Sequence, residues 1–270
     1  MVENGLVEGL PAADPRITSF KGIPFAAPPV GVNRWRAPQP AEDWDGILYA
    51  YKFAPISMQH IPGEDPENIY SREWNVDTSI AMDEDSLHLN IWTPARKTDE
   101  KLPVFVWYFG GGLQEGNTAE MEFDGERIAR RGIVVVTINY RLNVFGFLCH
   151  PEITAENPEA PANFGHLDQQ FGTRWVQRNI AAFGGDPDNI TIGGTFFTWK
   201  KIYQKLSGTA LSFSNFWACH PSRKPAAWMR YFLETGWWNT KRSGVLQLTV
   251  SFMSAMPTGF SWQTDVSWCL

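Results

Sequence analysis

Seven consecutive residues, Ile133–Asn139 (IVVVTIN), are almost wholly apolar and β-branched. A strand with one wet face would alternate apolar and polar residues, so this run predicts a strand buried on both faces. Such a strand needs helices above and below it, and the flanking sequence supplies them. Leu102–Tyr108 (LPVFVWY) is a second apolar run, and Gly110, Gly111 and Gly112 follow it. Asp124 can cap a short helix, DGERIARR, that Gly132 closes. A longer helix is predicted from about Asn163 to Phe183, with Phe164, Leu167, Phe171, Trp175 and Phe183 on one face. Gly184 and Gly185 stop it, and Ile190–Ile192 starts another strand; upstream, Leu87–Trp92 (LHLNIW) also reads as a strand. Strand, helix, strand, helix, strand predicts an α/β fold with a largely parallel sheet covered on both faces.

This order stops near position 194. Residues 1–194 carry 27 Asp+Glu and 15 Lys+Arg, a net of −12, whereas residues 195–270 carry two acids and eight bases, a net of +6. Seven of the 13 tryptophans lie in the last 76 residues, whose apolar positions keep neither period 2 nor period 3.6. The two parts are therefore expected to be separate, 1–194 a coherent unit and 195–270 an unrelated, poorly ordered tail. The break falls within ITIGGTFFTWKK, inside a strand-turn unit, whereas natural boundaries fall in exposed linkers. A frameshifted or mis-spliced reading frame accounts for such a tail better than a new domain does.

Composition narrows the function classes. The net charge of −6 disfavours nucleic acid as the main partner. No run of 18 apolar residues exists, so no membrane span is expected. The N-terminus MVENGLVEGLPAADPR lacks a charged-then-apolar leader, so no signal peptide is read there. Cys149, Cys219 and Cys269 lack metal-ligand spacing and form no even set, so neither a metal site nor a disulfide scaffold is expected. The triple glycine can bring backbone N–H groups close to a ligand, to stabilise an oxyanion, or it can be a flexible strand exit. It does not suit phosphate, since no GxGxxG or GK[ST] is present.

The stretches FKGIPFAAPPVG, RWRAPQP, EDSLHLNIWTP, LPVFVWYFGGG, DGERIARRGIVVVTINYRLNVFGFL, NFGHLDQ and WVQRNIAAFGGDPDNITIGG occur in one order across residues 20–59 and 84–194. Together they resemble the type-B carboxylesterase/lipase family, the cholinesterase-like α/β hydrolases. The resemblance implies the N-terminal part of an α/β-hydrolase fold, a mixed, mostly parallel sheet flanked by helices, here incomplete. It implies hydrolysis of carboxylic esters through a Ser–acid–His triad, without metal or cofactor. Carried over, Gly111 and Gly112, with Gly110 as a third, match the oxyanion-hole glycines. Phe109 stands where relatives often have His or Tyr, which changes the polarity of the pocket. Arg34 and Glu84 match a structural ion pair, buried in relatives. Asn139, Tyr140, Arg141, Asp168 and Gln169 match positions of structural use. Ser57 and Ser86 stand where secreted relatives have an early disulfide, which with the missing leader suits a cytoplasmic chain. Trp107, Tyr108 and Phe109 suggest a pocket for a small apolar ester, but aromatic residues at a strand end are more often simply core.

The resemblance also implies what this chain lacks. The family's strand enters a G-x-S-x-G elbow whose serine is the nucleophile. Here the sequence reads Gly194-Thr195-Phe196-Phe197-Thr198, so Phe196 holds the nucleophile position and Thr198 that of the second glycine. His60, His88, His150 and His166 precede the elbow, against the family's order of Ser, acid, His, and His220 sits in no family segment. No catalytic residue is assigned. Two readings follow: the N-terminal part of a carboxylic-ester hydrolase that is inactive as it stands, or a non-catalytic cholinesterase-like binding protein.

Overall fold

A computed structural model describes residues 1–60 and 79–194. The predicted order (Phe196 and the tail 195–270) therefore lies outside the described residues beyond Gly194. Eight strands appear among the described residues: β1 (Leu6–Glu8), β2 (Leu10–Pro11), β3 (Thr18–Pro24), β4 (Ile47–Tyr49), β5 (His88–Thr93), β6 (Leu102–Tyr108), β7 (Val134–Ile138) and β8 (Gly185–Gly194). The α-helices are α1 (Glu126–Ala129), α2 (Asn143–Phe147), α3 (Pro151–Glu156) and α4 (Phe164–Asn179). β1 and β4 form a small parallel pair. The other six strands form one sheet in the order β2-β3-β5-β7-β6-β8. Its first half, through the β5–β7 pairing, is antiparallel, and β7-β6-β8 are parallel. The architecture is the N-terminal part of an α/β-hydrolase fold.

All five residues of β7 are buried, as the unbroken apolar run requires. Val134, Val136 and Ile138 pack with Trp175, Val176 and Ile180 of the α4 side. Val135 faces the other way, against Trp92, Ile17 and Ala129 of α1. Burying a Val or Ile side chain contributes about 1.5–3 kcal/mol, so a strand with two dry faces is a large share of the fold's stability.

Three local expectations differ from what the structure shows. The DGERIARR helix is one turn, Glu126–Ala129, begun by Asp124, whose Oδ1 accepts the Glu126 N–H at 2.8 Å. The long helix is α-helical only to Asn179, then tightens into a 3-10 turn over Ile180–Phe183 and ends at Gly184, φ 78°. Its buried face is also more polar than the apolar spacing predicts. Leu167 and Phe171 are half-buried, while Asp168, Gln169 and Thr173 are buried. The reason is that this face meets charged and hydroxyl partners: Asp168 receives Arg141, and the Tyr108 hydroxyl donates to the Gln169 carbonyl at 2.9 Å.

Candidate active site

β6 and β8 run parallel and end level, with Tyr108 in register with Gly194. Ligands of open α/β sheets gather at this carboxyl edge of the strands. The Gly110–Gly116 loop leaves β6 there. Gly111 has φ 123°, and a Cβ built on it would lie 2.0 Å from the Glu115 carbonyl oxygen. The Gly111 carbonyl accepts the N–H groups of Gln114 and Glu115 at 3.0 and 3.2 Å, closing the turn. Gly112 has φ 63°, with open space where its Cβ would be. Among the described residues, no acceptor meets the N–H of Gly110, Gly111 or Gly112. Those donors are free for a ligand's negative oxygen.

The loop is held from outside by residues far away in the chain. Gln59 grips Gly116 at both backbone groups, accepting its N–H at 2.8 Å and donating to its carbonyl at 3.0 Å. The Asn143 N–H donates to the Leu113 carbonyl at 2.7 Å, and its side chain donates to the Met58 carbonyl at 2.6 Å. The Tyr140 hydroxyl donates to the Phe109 carbonyl at 2.8 Å, and the two rings stack at 4.4 Å. Burial pushes the Tyr140 phenol above its ordinary pKa, with Glu120 adding to the effect, so it stays a donor. None of Gln59, Tyr140 and Asn143 carries a local sequence signal for this work. Their partners lie between 31 and 57 residues away for Tyr140 and Gln59.

Beside the loop opens a cleft of about 350 Å³ lined by Met58, Gln59, His60, Gln114, Glu115, Asn143 and Phe145. The aromatic residues expected to shape an apolar pocket are placed otherwise. Phe109 is fully buried and stacked on Tyr140, so its side chain does not set the polarity of this cleft. Tyr108 is fully buried, and burial raises its phenol pKa. Trp107 packs against Phe105 and Phe123. Tyr108 and Phe109 are thus core residues, and Trp107 beside them is half-buried.

Arg34 and Glu84 form a two-pronged pair, Nε–Oε2 2.5 Å and Nη2–Oε1 2.6 Å, with side chains 37% and 22% exposed. The pair is therefore partly wet, whereas burial was expected. Arg141 and Asp168 form the dry counterpart: Nη2–Oδ1 2.6 Å, Nε–Oδ2 2.8 Å, and side chains 4% and 0% exposed. Asp168 also accepts the Arg141 backbone N–H at 3.0 Å. Ser57 and Ser86 are buried with their hydroxyls 3.0 Å apart, and Ser57 donates to the Tyr140 carbonyl at 2.8 Å.

The model of the carboxylesterase family matches residues 1–196, nearly three quarters of the sequence. The chain belongs to the carboxylesterase family. It is similar to the fumonisin B1 esterase of Sphingopyxis macrogoltabida, 41% identical over 193 residues, which is 71% of this chain and 33% of that protein. It is also similar to the mouse (Mus musculus) cholinesterase, 43% identical over 195 residues, 71% of this chain and 31% of that protein. This carboxylesterase-family chain thus spans about a third of the length of the curated relatives it matches. Among the described residues, no group of three or more His, Cys, Asp or Glu could hold a metal ion. No described helix is long and apolar enough to cross a membrane.

Proposed function

We propose that residues 1–194 carry the oxyanion-binding part of a carboxylic-ester hydrolase, with Gly111 and Gly112, and Gly110 beside them, as the donors. The observation that carries this is the set of free N–H groups on a braced loop at the carboxyl edge of the sheet. An oxyanion forms when a nucleophile attacks the ester carbonyl, and preorganised N–H donors stabilise that charge in the transition state. The substrate class is a small carboxylic ester with apolar groups; nucleic acid is no part of the reading. Arg34–Glu84 serves as a structural pair. The chain is read as cytoplasmic, with hydrogen-bonded Ser57 and Ser86 where secreted relatives have a disulfide.

The same reading makes this chain inactive by itself. Phe196 has no atom that can attack a carbonyl, and Thr198 would crowd an elbow turn. The stretch 195–270 is read as an unrelated, frameshifted or mis-spliced tail. The test is hydrolysis of p-nitrophenyl butyrate by the full chain. The expected rate equals buffer; turnover that a serine-directed phosphonate abolishes overturns the inactive assignment. An inactive chain that nonetheless binds a protein partner with its loop cleft supports the non-catalytic reading instead.

A further inference from the structure

A small cavity of about 10 Å³ is lined in part by Arg34 and Glu84 of one ion pair, Arg141 of the other, and Ser57 and Ser86. A single water needs roughly 10–15 Å³, so the space is on the scale of one water. One of the lining residues carries an unsatisfied donor. Arg141 is 3% exposed; its Nε and Nη2 are taken by Asp168 and the Arg36 carbonyl, but its Nη1 is buried with no partner. A buried guanidinium nitrogen left without an acceptor is costly.

We propose that one structural water binds here, accepting from Arg141 Nη1 and donating to Ser86 Oγ and the Glu84 carboxylate. The hydroxyl bonding supports its direction. Ser57 Oγ gives its proton to the Tyr140 carbonyl, and the Ser86 Oγ proton is shared between Ser57 Oγ at 3.0 Å and the Glu84 carbonyl at 3.3 Å. The lone pairs of Ser86 Oγ are then left to accept from a water. Charge selects water over an anion: Arg141 is matched by Asp168 and Arg34 by Glu84, so the cavity has no net positive charge to offer. The water links the wet pair to the dry one. Through Ser57 and Tyr140 it also ties the Ser57–Ser86 contact to the strand exit that holds Phe109.

The test uses the full chain. Water-selective NMR cross-relaxation should show a water in contact with the Arg141 guanidinium protons, unchanged when bromide replaces chloride. Ser86→Thr puts a methyl group against the cavity. That variant should lose the contact, lose one long-lived water in ¹⁷O relaxation dispersion, and melt roughly 2–6 °C lower because Arg141 loses a partner. A Ser86→Thr variant that melts higher indicates a dry void filled by the methyl and overturns the proposal. So does absence of the water–guanidinium contact in the unsubstituted chain, which decides the matter even if the variant does not fold. A bromide-dependent contact assigns the site to an anion and overturns it as well.

Discussion

β6 and β8 are neighbours, parallel and level at their ends, yet the chain does opposite things on leaving them. From β6 it enters a glycine loop gripped by Gln59, Asn143 and Tyr140, with N–H donors left free. At the end of β8 the sequence reads Gly194-Thr195-Phe196-Phe197-Thr198, against the Gly-x-Ser-x-Gly of a nucleophile elbow. On the function proposed above, one exit keeps donors for a transition state and the other lacks a nucleophile. The difference teaches that preorganisation and reactivity are separable. The loop's geometry is set by its own backbone and by side chains upstream of Gly194.

The strongest way to break this comparison is to repair the second exit. Residues 1–194 fused to the C-terminal part of a type-B relative, starting from its elbow, should hydrolyse p-nitrophenyl butyrate where the natural chain does not. In that fusion Gly111→Ala should lower kcat by about 10²–10³-fold, with little change in KM, because its Cβ would push against the Glu115 carbonyl and displace a donor. Gly112→Ala meets no atom, so it should cost stability, about 1–2 kcal/mol for a positive φ, more than it costs kcat. A folded but inactive fusion, or one indifferent to Gly111→Ala, removes the role assigned to the loop.

The second prediction concerns the support beneath the β6 exit. Asp168→Ala leaves the Arg141 guanidinium buried without its counter-charge, which should destabilise the chain by about 3–5 kcal/mol in urea unfolding. Glu84→Gln, in the wetter pair, should cost far less, because solvent already screens it. Equal losses from the two changes contradict the division into a dry and a wet pair.

How far the sequence foretold this molecule follows from the range of each signal. β6 and β7 were legible because a continuous apolar run is a local pattern with one physical meaning. The turn after β6 was legible because three glycines directly follow an apolar run. The partners of the loop were not. Gln59 acts on Gly116 across 57 residues, and a glutamine in a loop looks like solvent-facing sequence. The polar face of α4 was missed for the same reason: Asp168 is sensible in a buried helix only once Arg141 is known to lie against it. Hydrophobic periodicity locates apolar faces and is silent about buried polar ones that are paired through space.

The smallest expected effect comes from a region remote from both exits and serves as a control on them. Glu126 anchors the N-terminal hairpin, accepting the Ala13 and Asp14 N–H groups at 3.0 and 3.1 Å. Burial alone would raise its pKa; Arg130 and those two N–H groups outweigh it and hold the carboxyl below its ordinary 4.5. A carboxyl lowered by folding contributes stability that is present above the unfolded value and is lost as pH falls through the folded one. The window therefore opens near pH 4.5 and extends below it. In NMR, the Ala13 and Asp14 amide resonances should titrate together with a midpoint under 4.5. Glu126→Gln should abolish that titration. The amides of Gly110, Gly111 and Gly112 should not follow it, because neither loop nor brace depends on Glu126. Glu3, held low by Arg178, and Asp14, held low by Arg16, also titrate below their ordinary values, so global melting cannot separate the three carboxyls but the Ala13 amide, bonded to Glu126, can. A midpoint at or above 4.5 would mean that burial, not Arg130 and the two amides, sets the charge of Glu126. Glycine amides moving in step would mean that the braced exit is coupled to the hairpin, and the independence claimed for it would fail.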